Sequence, residues 1–391
     1  MEEISFTFIE TDAVLKKVCA SLQKHDWLAF DTEFVSEKRF KTLLCLIQIA
    51  SPEGYYLVDP FEINDFSPFF DLLSDPGILK ITHAGENDYR IFAQNFGVYP
   101  KNIFDTQVAA GFSNFGYPIS YSKLVEKVLN AHIDKAYAAT FWDARPLKHR
   151  QLQYALADVS HLYPLYKYLS GYIGSKNRLT WVFSELENWC DPSFYERNIY
   201  KEATSGTLIH GLRKHKQIFL LKLHKWRYAE AERLDISREM AFPAKYITPI
   251  VKSIDQGKSV LKDSRVIPDK FIDTFWSTFE AILKEPATEE ELEVLKNLPL
   301  NVKDDLLHES SMELLHALIK YKCIENDIAP TFVLVKSELT NSDKPVWFRD
   351  ENVSDWRHEL LGETLIQWMR DIPILNIDIT DSSVVLTSAE K

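Results

Sequence analysis

The chain has 391 residues, 46% hydrophobic and 26% charged, ordinary globular values that exclude disorder as its main state. The length suits two to three domains. No apolar run approaches the ~18 residues of a membrane span, and the acidic start Met1-Glu2-Glu3 lacks the basic region of a signal peptide. Cys19, Cys45, Cys190 and Cys323 lie far apart with no CxxC, which excludes a zinc site built on such a pair and argues against a disulfide framework. The expectation is a soluble cytoplasmic protein with no membrane partner. The net charge of −12 is uneven: −5 over residues 1–172, +4 over 173–285 and −11 over 286–391. A polyanion, if bound, should be gripped by the basic middle.

In chain order, residues 27–35, 43–50, 54–58 and 78–82 read as short strands, and a helix is predicted near 86–96 after a turn. Strands in close succession, then strands mixed with helices, predict a mixed sheet with helical layers. From about Lys148 the pattern is helical, and Pro164 should end or kink the helix that follows Asp158. Two helical bundles are expected, near 210–284 and 298–369. Between them, Pro286 is followed by Thr288 as an N-cap and an acidic first turn. The tail from Asp371 carries no clear assignment.

Asp31 and Glu33 sit two apart in an otherwise apolar and aromatic strand, so both carboxylates leave the same face. Two such charges repel unless a cation sits between them. Asp88 follows a strand and a turn, where the helix dipole alone would favour an acid. Tyr154 and Asp158, at i and i+4, share one helix face. Taken together, these are four carboxylates and a phenol on separate elements. Carboxylates without His or Cys favour hard cations such as Mg2+ or Mn2+, and two such ions about 4 Å apart can clamp a phosphodiester.

The segments Asp31-Thr32-Glu33, His83 to Asp88, and Tyr154-x-x-x-Asp158 resemble the three exonuclease motifs of the DEDD superfamily, in its tyrosine-type branch. The chain is similar above all to the bacterial ribonuclease D family, in Leu46-Ile47-Gln48, His83-Ala84-Gly85, Asp105-Thr106-Gln107, Asp134-Lys135, Trp142 and Ala144-Arg145-Pro146-Leu147. From Leu223-His224-Lys225-Trp226-Arg227 onward it resembles the helicase-and-RNase-D C-terminal (HRDC) domain. The resemblance implies an α/β, ribonuclease-H-like mixed-sheet exonuclease domain over 1–172, a helical connector over 173–209, and an all-α HRDC domain over 210–285. A second, divergent HRDC-like domain over 286–370 and a tail over 371–391 complete it.

The implied activity is metal-dependent 3′→5′ hydrolysis of RNA, trimming the 3′ ends of tRNA precursors and other structured RNAs, by a monomer. The alternatives are a DNA 3′→5′ exonuclease or a catalytically silent RNA-binding module. By resemblance, Asp31, Glu33 and Asp158 would hold the ion that binds the nucleophilic water. Asp31 and Asp88 would hold a second ion, and Tyr154 would orient the water. Gln48, His83, Lys135, Arg145, Lys222, Lys225 and Arg227 are the candidate substrate contacts, although bracing is the better reading for His83. Gly85 is expected to relieve backbone strain. Lys222, Lys225 and Arg227 should carry their charges out to water, while Trp226 should pack in the core. A fragment ending near Gly171 should keep the metal site. Phe141 departs from the family, which usually has an acid before the tryptophan. No GxxxxGK[ST] occurs, which argues against a helicase.

Overall fold

The computed structural model describes residues 3–133, 141–298, 306–334 and 355–371, and the backbone of 375–379 and 384–388. Contacts gather into two units: residues 1–33, 45–194 and 302–391 form one, and residues 34–44 with 195–301 form the other. Among the described residues, no helix is long and apolar enough to cross a membrane.

The first unit opens with β1 (Thr7–Ile9), α1 (Asp12–Leu22), β2 (Trp27–Val35), β3 (Leu43–Ser51) and β4 (Gly54–Val58). It continues through α2 (Ser67–Ser74), β5 (Leu79–Thr82), α3 (Glu86–Phe96), β6 (Ile103–Asp105), α4 (Thr106–Ala110) and α5 (Tyr121–Leu129). Helices α6 (His149–Ser160), α7 (Leu162–Ser175) and α8 (Leu179–Glu187) follow. The predicted strands and the α3 helix are all present. The short strands β1 and β6 are additional, because three residues are too few to display a period.

The sheet order is β1-β4-β3-β2-β5-β6. Strands β3 and β4 form an antiparallel hairpin, while β1 pairs parallel with β4, and β5 pairs parallel with both β2 and β6. This is the mixed α/β sheet that the pattern predicted. Alternation along β2 sends Phe30 into an aromatic core with Phe69, Tyr89 and Phe92, and leaves Asp31 and Glu33 on the opposite face. The helical run breaks at His161, so Pro164 falls in the first turn of α7, where its missing N–H costs no helical bond.

The remainder of this unit comprises a helix over Leu306–Glu325, a helix over Trp356–Asp371 and a two-stranded antiparallel sheet of Leu375–Ile379 with Val384–Ser388. Phe332 stacks on Phe112 at 5.0 Å between centroids and lies against Tyr117 at 4.4 Å. Trp356 stacks on Trp181 and donates to Glu185, which also pairs with Arg357. Phe332, Trp356 and Arg357 therefore cover part of the exonuclease domain. A fragment ending near Gly171 would keep Asp31, Glu33, Asp88 and Asp158 but remove Trp181 and Glu185 and bare Phe112.

The second unit is helical, built on α9 (Lys201–Thr204), α10 (Lys214–Leu234), α11 (Arg238–Ala241), α12 (Ile247–Ser253), α13 (Lys258–Asp263), α14 (Asp269–Lys284) and α15 (Glu289–Lys296). Its core joins Phe219, Leu223, Phe242, Ile250, Ile272 and Phe279, with Trp226 packed edge-on against Phe242, Phe275 and Phe279. Thr288 caps α15 in a reciprocal capping box with Glu291, as the sequence suggests. The contacts keep α15 with the helices before it, so residue 286 does not begin a separate compact body.

Lys222 and Arg227 do not reach water. Lys222 is 6% exposed, and its ammonium donates to the carbonyl oxygens of Pro286 and Glu285. Arg227 is 4% exposed and donates to the Phe242 carbonyl and to Glu202 and Glu239. Both stitch the bundle together, so they are withdrawn as substrate contacts. Lys225 differs: its side chain is 48% exposed, and its ammonium meets Tyr200 and, at 3.5 Å, Glu290. Arg227→Ala should lower the unfolding free energy by about 1–3 kcal/mol, through the orphaned, buried Phe242 carbonyl, whereas Lys225→Ala should stay within ~0.5 kcal/mol. Urea denaturation of the two variants checks this; equal losses would contradict the assignment.

Candidate active site

Strand β2 presents Asp31 and Glu33 on one face, and α6 brings Asp158 against them. One ligand oxygen from each of the three lies within 4.8 Å of the others. Asp88 sits in the first turn of α3, buried, and its carboxylate accepts the hydroxyl of Thr32, the residue between Asp31 and Glu33. The sequence reading did not single out Thr32, because a threonine in a strand carries no signal of its own. Tyr154, one turn before Asp158, donates its hydroxyl to the Asp158 carboxylate. Trp142 is buried, with its ring 6.3 Å from that of Tyr154.

The electrostatics follow from crowding. Burial, then the charges of Asp88, Asp158 and Glu33, hold the Asp31 carboxyl well above the ordinary carboxylate range. Burial and the same kind of repulsion push Glu33 up to about 9. Burial raises Asp88 to about 7 and Asp158 to about 6, against the lowering effect of the hydrogen bonds from Thr32 and Tyr154. Burial and the neighbouring carboxylates raise Tyr154, so it remains a phenol at neutral pH. Four mutually repelling carboxylates, with no basic partner among the described residues, make a donor set that a hard divalent cation satisfies.

A stability consequence follows. Because these carboxyls titrate higher in the folded chain than in the unfolded one, the metal-free fold binds more protons between about pH 4 and 9. Their contribution to stability is therefore lost as pH rises through that window. A bound cation takes the place of the protons. The melting temperature should thus gain more from saturating Mg2+ near pH 8 than near pH 5, by scanning calorimetry. An equal gain at both would mean that the cluster is not the cation site.

The turn that carries Asp88 is built from inside. Ala84 is in the left-handed region at φ 56°, while Gly85 is at φ −73°. Gly85 is needed for close approach instead of strain relief: a Cβ there would lie 2.5 Å from Thr82 Oγ1. Asp105, wholly buried at the end of β6, accepts the Gly85 N–H at 2.8 Å and the Thr82 hydroxyl at 3.1 Å through one oxygen. Its other oxygen caps α4 through the N–H groups of Gln107 and Val108. An aspartate at a strand end followed by Thr106 is an N-cap signature that could have marked it.

The remaining candidates separate by what they touch. His83 has both ring nitrogens engaged, Nδ1 with Thr106 Oγ1 at 2.9 Å and Nε2 with the Ile119 carbonyl at 3.0 Å, so it braces and does not face a substrate. Gln48 is wholly buried in β3 and offers no atom to a substrate. Arg145 forms a two-pronged pair with Asp59 at 2.5 and 2.7 Å and donates to the carbonyls of Cys45 and Trp142. That guanidinium is committed to the fold. Lys135 lies outside the described residues.

The mixed sheet and its carboxylate cluster define a nuclease-type site. The family model for 3′-5′ exonucleases matches residues 6–173. The chain is 32% identical to the ribonuclease D of Bartonella henselae, over 91% of this chain and 88% of that one. It is 31% identical to that of Nitrobacter hamburgensis, over 92% and 94%. The structure of Escherichia coli RNase D, described as an exoribonuclease involved in structured RNA processing, matches with a TM-score of 0.80 at 25% identity, covering 95% of this chain and all of that one. The chain belongs to the ribonuclease D family and is a 3′–5′ exoribonuclease, of a metal-dependent class.

Proposed function

We propose that the chain trims the 3′ ends of structured RNAs, tRNA precursors foremost, releasing nucleoside 5′-monophosphates by two-cation hydrolysis. The observation that carries this reading is the convergence of Asp31, Glu33 and Asp158 within 4.8 Å, with Asp88 beside them. Asp31, Glu33 and Asp158 would hold one Mg2+ or Mn2+, and Asp31 with Asp88 the other. When bound, such ions activate water and neutralise charge building on the phosphate. Tyr154, held as a phenol, fixes Asp158 and orients the attacking water by hydrogen bonding; the cations would lower the water's pKa, so little deprotonation is asked of the phenol.

The helical region 210–285 is read as an HRDC-like module that selects the RNA, in a monomeric cytoplasmic enzyme. With Lys222 and Arg227 buried, Lys225 is the one of these three candidates left to meet phosphate, together with the exposed Lys214 at the start of α10. The test is a time course with 3′-extended tRNA precursor, single-stranded RNA and single-stranded DNA of known 5′ label, each with Mg2+, Mn2+ or EDTA. Stepwise 3′ shortening of the precursor, abolished by EDTA, is expected. Equal or faster loss of the DNA would favour a DNA exonuclease, and binding without shortening would make the chain an RNA-binding module.

A further inference from the structure

Asp88 lies on α3 and Asp158 on α6. A line of hydrogen bonds, bridged at one point by a ring contact between His83 and Tyr121 and buried or half-buried along its length, joins the two. The Asp88 turn is held by Asp105 at Gly85 and Thr82, and Thr106 donates to the Thr82 carbonyl at 2.9 Å. His83 runs from Thr106 to the Ile119 carbonyl, which also accepts from the Gln107 amide at 2.9 Å. Two residues on, the Tyr121 ring lies 5.3 Å from the His83 ring. The Tyr121 hydroxyl then donates to the Ala157 carbonyl at 3.2 Å and accepts the His161 N–H at 3.3 Å. These two backbone groups bracket Asp158.

We propose that Tyr121 is a positioning residue, the last link of a frame through His83 and Thr106 that sets the separation between Asp158 and Asp88 before any cation binds. Three features argue for this over a merely space-filling tyrosine. The hydroxyl spends both its donor and its acceptor capacity on the turn around Asp158. The His83 ring offers no nitrogen to anything outside the frame. Each end of the line terminates one to three residues from a carboxylate of the cluster. Such outer partners of metal ligands act by fixing geometry, so that binding does not have to order the ligands. Without the frame, four repelling carboxylates would relax apart, and each cation would have to draw them back.

This inference rests on the two-cation reading, and the test separates the two. Metal-free full-length protein is titrated with Mn2+, and free Mn2+ is read by electron paramagnetic resonance. The wild type should bind two ions. Tyr121→Phe keeps the ring and removes only the hydroxyl; its Mn2+ affinity should fall about 10-fold. Its kcat on RNA at limiting Mn2+ should fall in parallel and recover at high Mn2+, with KM for RNA unchanged. His83→Gln should show the same pattern, and the double variant should lose no more than the worse single one, because one frame can be broken only once. Additive losses, or unchanged Mn2+ affinity in Tyr121→Phe while the wild type binds two ions, would overturn the frame. A wild type that binds one ion and is fully active would overturn the two-cation reading instead. If Tyr121→Phe melts early, His83→Gln and its Mn2+ titration decide the matter alone.

Discussion

Asp31→Ala should lower kcat by ~10²–10³ or more, the scale of losing one preorganised charge-stabilising group. It is the most crowded carboxylate of the cluster, repelled by Asp88, Asp158 and Glu33 together, and the one proposed to serve both cations. The substitution should also raise the melting temperature of the metal-free protein at neutral pH, because it relieves that repulsion. A stabler but inactive variant is the signature of a site whose charges are arranged for a ligand. Tyr154→Phe should cost only about 10-fold, since one hydrogen bond to Asp158 is lost while every carboxylate stays. Single-turnover assays on end-labelled RNA read both variants. Near-normal turnover in Asp31→Ala would remove it from the ligand set, and a Tyr154→Phe loss as deep as that of Asp158→Ala would make the phenol a base.

The second large effect is on stability. A Cβ at Gly111 would lie 2.2 Å from Phe332 Cε2 and 2.9 Å from Tyr117 Cβ. The Gly111 carbonyl accepts the Ala329 N–H at 2.7 Å, so the backbone there cannot simply back away. Gly111→Ala should therefore destabilise by about 1–3 kcal/mol, the range of overpacked cores. Limited proteolysis should show earlier cleavage after residue 301 than in the wild type. Gly111→Ala combined with Phe332→Ala should recover part of the loss. A fully stable single variant would mean that the Phe332 contact is soft.

Much of the first unit was legible because strand alternation and turn residues are local. The face shared by Asp31 and Glu33, the helix face shared by Tyr154 and Asp158, and the Thr288 cap all follow from spacing within a few residues. Their convergence was legible only by resemblance, since no short window links residues 31, 88 and 158. The failures have a common cause. Lys222, Arg227 and Arg145 were read as phosphate contacts because a cation in a sequence looks the same whether it faces water or a carbonyl. What decided their fate were Pro286, Phe242 and Cys45, each distant in the chain. Gly85 misled for a related reason: its neighbour Ala84 takes the positive φ, and Thr82 sets the steric demand.

The docking of Phe332, Trp356 and Arg357 onto the exonuclease domain has a consequence for synthesis. Trp181 and Glu185 leave the ribosome long before Trp356 and Arg357, their partners. At ~5–20 residues per second, the ~170 intervening residues take roughly 10–35 s. Throughout that interval Phe112 and Trp181 lack the rings that later cover them, so a nascent chain with a finished sheet still carries an adhesive apolar patch. The half-made enzyme is then a natural client for a holdase. A translational pause within the helical middle would lengthen the exposure, whereas rapid completion of the C-terminal helices would end it.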